Sequence, residues 1–458
     1  MSALQRPVDS TAARAPGGDK SELPLFALAL FTAGHVVLAL AMQVLPLVGT
    51  VHALLTVLIG LVVAARRRLH EVAYVVAYIA GAEVLWRMTH ADVFWEYGKY
   101  AVSLILVLAL FRIRAPRNRG IAIGYLAVLL PSALLTLLAY DFDTARKLIS
   151  ANLSGPLAMA ICVMFFSNIR ITGHQLRMTL FALIGPIVGI AAIAVLSTVS
   201  ATDLEFTGEA NAIASGGFGP NQVSAMLGLA LLLCVLLLLE RKQPLRLRIA
   251  LTCGATLFAT QAALTFSRGG LALAFLSALA AITYLMRNAR TRATLLVVGA
   301  LLFGVGKYVV VPRLETFTQG KLGERYTSAD STGRTQLATY DLLIFEDHPI
   351  LGVGPGAASD LRAEMGHPGP AHTEFTRLLA EHGMFGIIAI LLLVILSLRT
   401  IAGARNLTAR AFVVAMLMWM VLYLLVNAMR LAIPCVMTGI ACAIAHASSS
   451  PPRASKGR

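Results

Sequence analysis

Runs of about 20 apolar residues recur along this chain from Leu25 to near His446, and nothing else in it constrains the fold as strongly. Each run is long enough to cross the hydrocarbon core of a bilayer as a helix. Of 458 residues, 58% are hydrophobic and 13% charged, with mean hydropathy +0.77. A soluble domain needs more charge than that to cover its surface. The chain reads as an all-α polytopic membrane protein. Candidate crossings lie at 24–44, 46–65, 71–88, 98–112, 120–139, 156–168, 178–198, 221–239, 248–265, 270–286, 293–311, 383–398, 411–427 and 431–446. The segments 156–168 and 431–446 are short enough to be half-helices, so about 12–14 transmembrane helices are expected.

Lys and Arg sort to every second loop. The loops at 65–71, 112–119, 170–177, 240–248, 287–292 and 399–410, with both tails, hold 25 of the 38 basic residues but only five of the 23 acids. Positive loops face the cytoplasm, so both termini are expected inside. This topology accounts for the net charge of +15, and no nucleic acid is expected as a partner. Residues 1–23 and 448–458 read as disordered cytoplasmic tails, 24–311 as a transmembrane bundle, 312–382 as a large outer loop and 383–447 as C-terminal transmembrane helices. A loop that long is expected to fold. Its stretch 333–348 has helical apolar spacing at Leu337, Tyr340, Leu343 and Ile344. "PILGVGPGA" breaks that helix, "ASDLRAEMG" offers a second, and Thr373 caps a third that runs into the next crossing. "DFDTARKLISANLSG" (141–155) reads as another outer loop.

All five cysteines lie in apolar runs, which suits neither a disulfide framework nor a thiolate metal site. Walker, Rossmann, HExxH and Gly-x-Ser-x-Gly patterns are absent. The outer side offers arginine instead: Arg146, Arg268, Arg334, Arg377 and Arg430. An Arg beside an apolar run is a functional candidate. Arg268, in "TFSRGG", sits between two crossings, where the glycines would let backbone approach a ligand. It reads as a phosphate fork that keeps its charge, or else as a snorkelling anchor. Arg146, with Lys147, lies in a polar loop. Arg334, in "STGRTQ", opens a helix, with Asp330 and Asp341 as alternative ion-pair partners. Arg377 has Glu374 and Glu381 along the same helix and reads as structural. His372 stands at a helix start as a neutral imidazole base, and nearby Arg charges would lower its pKa further. His367 and His382 are weaker candidates, and the three histidines lack zinc-ligand spacing. Glu83 is the main candidate for an intramembrane acid.

The chain resembles the bacterial O-antigen ligases, within the O-antigen ligase/polymerase superfamily. The features that carry this are the multi-span topology, the large outer loop near the C-terminus with "GRTQLATYDLLIFEDHPILGVGPG", and a His pattern. That pattern is His372, Thr373, nine residues, then Gly383, Met384, Phe385 and Gly386, with Thr373 standing where the family usually has Asn, Ser or Gln. "NLSGPLAM", "GPNQVSA" and "TFSRGG" also look like family segments. The resemblance implies a GT-C-like membrane glycosyltransferase of the bacterial inner membrane, with a periplasmic active site. It implies metal-independent, inverting transfer of O-antigen from undecaprenyl diphosphate to lipid A–core, with no cofactor. His372 and Arg268 would be catalytic, His372 as general base. Arg146, Lys147, Arg268 and Arg334 would hold the diphosphate or donor sugar. An O-antigen polymerase and a protein O-oligosaccharyltransferase are the near alternatives, and a lipid-glycan transporter the distant one.

Overall fold

The computed structural model describes residues 25–449 except 67, 114–115, 203–204, 208, 240–242, 288–291, 293–303, 305, 328–332 and 370. The expected N-terminal tail, all but the first two residues of the C-terminal tail, and most of the crossing expected at 293–311 lie outside the described residues. Among the described residues every regular element is helical. The α-helices are α1 (Leu25–Val44), α2 (Pro46–Ala65), α3 (Leu69–Met88), α4 (Tyr97–Leu110), α5 (Arg119–Ala127), α6 (Leu130–Ala139), α7 (Phe142–Phe166), α8 (Gly173–Ser200), α9 (Pro220–Leu238), α10 (Leu245–Leu264) and α11 (Arg268–Leu285). Then come α12 (Val311–Phe317), α13 (Lys321–Thr327), α14 (Arg334–Asp347), α15 (Ala358–Glu364), α16 (Glu374–His382), α17 (Met384–Gly403), α18 (Leu407–Asn427) and α19 (Ile433–Ser449).

Among the described residues, 11 spans are long and apolar enough to cross a membrane, with α5 and α6 counted as the single span Arg119–Ala139. Helices α4 and α19 are shorter apolar elements. Pro131, near the start of α6, has no N–H to continue the ladder from α5, which accounts for the break there. The protein is therefore an all-α, multi-pass membrane protein.

Residues 142–155 are not a loop. They form the first half of the 25-residue α7. Asp141 caps this helix, its carboxylate accepting from the backbone N–H groups of Asp143 and Thr144, each at 3.1 Å. That cap satisfies donors left over at the helix start. The Gly155–Pro156 pair looks like a boundary in sequence, yet Pro156 lies inside the helix.

Helix α3 packs along α8, α9 against α10 and α11, α11 against α18, and α19 against both α18 and α7. Glu83, only 2% exposed, is neutralised within this core. It accepts from Arg87 at 2.7 Å and from the Ala432 N–H at 2.7 Å, tying α3 to the start of α19. Helices α9 and α11 touch backbone to backbone. A Cβ on Gly270 would lie 1.9 Å from the Ser224 carbonyl oxygen, and one on Gly228 2.1 Å from that of Gly270. Small residues at such crossings let helices approach closely where lipid supplies no hydrophobic drive. The helices α12–α16 pack beside the ends of this bundle and carry the polar groups that follow.

Candidate active site

Four guanidinium groups converge from four separate segments. Arg268 opens α11 behind Phe266, whose φ is +54. Gly270, two residues on, is used up in the contact with α9, so it makes no approach to a ligand. Arg325, on α13 and 6% exposed, reaches back to the same turn and donates from Nε to the Phe266 carbonyl at 3.1 Å. Arg334 is the first residue of α14 and follows Gly333, whose φ of +74 favours glycine. Arg430 lies in the turn between α18 and α19 and donates to the Ala371 carbonyl at 2.6 Å. Its own carbonyl accepts from Arg87 at 3.2 Å. Burial, and then the charges of Arg268, Arg325 and Arg430, lower the pKa of Arg334.

His372 sits half-buried beside this group. Burial, followed by Arg430, Arg334 and Arg362, pushes its pKa down to about 4. The imidazole is therefore neutral at pH 7. Among the described residues nothing hydrogen-bonds its ring nitrogens. The backbone on both sides is fixed, by Arg430 at Ala371 and by Thr373, whose hydroxyl accepts from the Phe375 N–H at 3.3 Å to cap α16.

Helix α16 is polar and nonetheless buried: Glu374 is 0%, Arg377 5%, Glu381 2% and His382 0% exposed. Arg377 pairs with both carboxylates and reaches Asn152 Oδ1 on α7 at 3.3 Å. Glu374 also accepts from the Met429 N–H at 2.9 Å. Burial outweighs the pull of Arg377 and raises the Glu381 pKa to about 6. His382 pairs with the Ser132 hydroxyl, and burial lowers its pKa to about 3. His367 stacks on Tyr340 with centroids 4.5 Å apart. These groups hold α16 in place.

Asp341 serves the same end. It takes an ion pair from Arg362 and a hydrogen bond from Thr376 at 2.8 Å, linking α14, α15 and α16. It is thus unavailable to Arg334, for which the described residues supply no ion pair; Asp330 lies outside the described residues.

Helix α16 was expected to continue into the next crossing. It stops at Gly383, where φ is +57. The loop that precedes α15 caps its C-terminus: Val353 N–H donates to the Ala380 carbonyl at 3.0 Å and Gly354 N–H to that of Glu381 at 2.9 Å. These bonds satisfy carbonyls that the helix end leaves over. A Cβ on Gly386 would lie 2.0 Å from the Leu378 carbonyl oxygen. The Gly-x-x-Gly that follows His372 is therefore the tight return of α17 against α16.

Of the residues singled out in sequence, His372, Arg268 and Arg334 come together. Arg146 and Lys147 lie exposed on the first turns of α7, with Arg146 facing the Asp143 carboxylate at 3.9 Å. Neither is among the charges that act on His372 or Arg334. Arg325 was missed, and "GERYT" carries no pattern that would find it. Arg430 was noted, and its position straight after an apolar run was the available signal. Among the described residues no three His, Cys, Asp or Glu side chains gather as a metal site.

Residues 253–391 match the family model described as O-antigen ligase. That span contains Arg268, Arg325, Arg334 and His372 but not Arg430 or Arg146. No curated protein matches the chain.

Proposed function

We propose, from the match of residues 253–391 to the O-antigen ligase family model, that this protein transfers O-antigen polysaccharide from undecaprenyl diphosphate to a sugar hydroxyl of lipid A–core. One observation carries the reading: a neutral imidazole, His372, lies within the field of Arg430 and Arg334, and Arg334 in turn lies within that of Arg268, Arg325 and Arg430. The acceptor oxygen attacks the anomeric carbon, the bond from that carbon to the diphosphate oxygen breaks, and configuration inverts. The hydroxyl proton passes to His372. The diphosphate leaves as an anion and needs no proton; the arginines bind it and take up the charge that develops. In this reading Arg325 and Arg430 join Arg268 and Arg334 in binding the diphosphate.

An imidazole held near pKa 4 is a weak base. Burial is the largest cause of that depression, and the charges of Arg430 and Arg334 come next; a bound diphosphate would offset those two charges, so donor binding would raise the His372 pKa and make it a stronger base. The alternation of basic loops supports placing this site on the periplasmic face of the inner membrane, with both termini cytoplasmic.

The test is reconstitution of the purified protein with lipid-linked O-antigen and lipid A–core, read by the gel mobility of the acceptor. A shifted acceptor band is expected. Extension of one lipid-linked glycan by another, with lipid A–core unchanged, would make the protein a polymerase.

A further inference from the structure

We propose that the cavity lined by Trp95, Glu96, Lys99, Asn152, Ser359 and Arg430 is the subsite for the acceptor sugar, a pyranose whose hydroxyl it presents to His372; this rests on the transfer reading above. The cavity measures 310 Å³, at the lower end of the roughly 300–1,000 Å³ of small-molecule sites. It adjoins the base, because Ala371 and Arg430 are in its wall.

Lys99 marks it as a site. The residue is 2% exposed, yet no described residue accepts a hydrogen bond from its ammonium or lies at ion-pair distance. The charges of Glu83 and Glu96 act on it, but Glu83 is committed to Arg87 and Ala432. Glu96 is half-buried, and its carboxylate has no hydrogen-bond partner among the described residues. A buried ammonium offers three donors and a carboxylate only acceptors, and leaving such groups unmatched is costly. Sugar hydroxyls both accept and donate, so a pyranose can satisfy the two at once.

Trp95 supplies the apolar wall such a ring needs. It is 52% exposed and is held by the Arg87 guanidinium, 4.1 Å from its centroid. It also borders a second cavity of 670 Å³, lined in part by His90, Asp92, Phe94 and Phe218. Further sugars of an oligosaccharide have room there.

The chain has three tryptophans, and Trp86 and Trp419 are 1% and 0% exposed. Trp95 is therefore the reporter for this wall. The experiment titrates purified full-length protein with lipid-free core oligosaccharide, following tryptophan fluorescence and saturation-transfer NMR, with inorganic pyrophosphate as the second probe. The oligosaccharide is expected to change the fluorescence of the unaltered protein. Lys99→Met should weaken its binding by about tenfold or more, the effect of one charged hydrogen bond. Trp95→Leu should remove the fluorescence response and reduce saturation transfer. Pyrophosphate affinity should be unchanged in both variants, which also shows that they are folded.

Absence of oligosaccharide binding to the unaltered protein, or equal binding by both variants, overturns the proposal and leaves Trp95 as a membrane-interface anchor. Loss of pyrophosphate affinity in Lys99→Met also overturns it, by assigning the cavity to the donor diphosphate. Because these are binding measurements, a failure of the transfer reading shows separately, in the reconstituted reaction.

Discussion

Arg430 donates to the carbonyl of Ala371 across 2.6 Å, so the side chain that places charge beside His372 also holds the backbone one residue before it. Arg430→Lys keeps the charge but has neither the reach nor the planar fork for both tasks. Arg430→Lys and Arg430→Ala should each lower transfer, by about 10²-fold for Ala if the group stabilises the leaving diphosphate. Steady-state rates at saturating donor check this; near-normal turnover in the Ala variant would remove Arg430 from the site.

The guanidinium groups should rank by their place in the cluster. Arg268→Lys and Arg325→Ala are expected to lose most transfer. Arg146→Ala, at a side chain 60% exposed to solvent, should lose far less. Side-by-side assays at matched membrane expression decide the order, and a larger loss for Arg146→Ala would return the diphosphate to the start of α7.

His372→Ala should reduce transfer by about 10²–10⁴-fold, the usual span for a general base, while lipid-diphosphate binding persists. The pH dependence has a definite sign. Only the neutral imidazole accepts a proton, so activity falls as pH drops through the His372 pKa. In the free protein that value lies near 4, and kcat/KM reports it. Bound diphosphate offsets the arginine charges, so the acid limb of kcat should lie at higher pH than that of kcat/KM. Coincident limbs would mean that the diphosphate does not bind beside His372.

Asp341→Ala strands Arg362, a side chain 2% exposed in an ion pair whose other partner is 1% exposed. Removing one member of such a pair costs about 3–5 kcal/mol. The expected outcome is a clearly lower unfolding temperature in detergent, accompanied by loss of transfer as α14, α15 and α16 loosen. An unchanged unfolding temperature would show that the three helices do not depend on this bridge.

The membrane helices were legible because crossing a bilayer demands length and apolarity together, and little else in a sequence imitates that. The cap on α16 was legible for the same local reason: Thr373 acts on neighbouring backbone. Position 141–155 misled because its polar side chains suggest a loop, while Asp141 and the surrounding bundle make it a helix. His372, Arg268 and Arg334 stood out as polar groups beside apolar runs. Arg325 did not, because its partner, the Phe266 carbonyl, lies 59 positions away in the chain, and only folding brings the two together. Gly270 looked like a ligand-facing glycine and, like Gly386, proved to be a contact point between helices. Sequence shows that a side chain is missing, but not what occupies the space.

Arg268, Arg325, Arg334 and Arg430 enter from four segments that share no helix, and Arg334 feels the other three as a burden on its own charge. Like charges set close together push against the contacts that confine them. A dianionic headgroup arriving among them would act as a keystone, converting that outward thrust into a clasp. The protein would then be sturdiest when loaded, by an amount that grows with donor concentration. In a membrane depleted of its carrier lipid, the same four arginines would be the first place where the assembly begins to loosen.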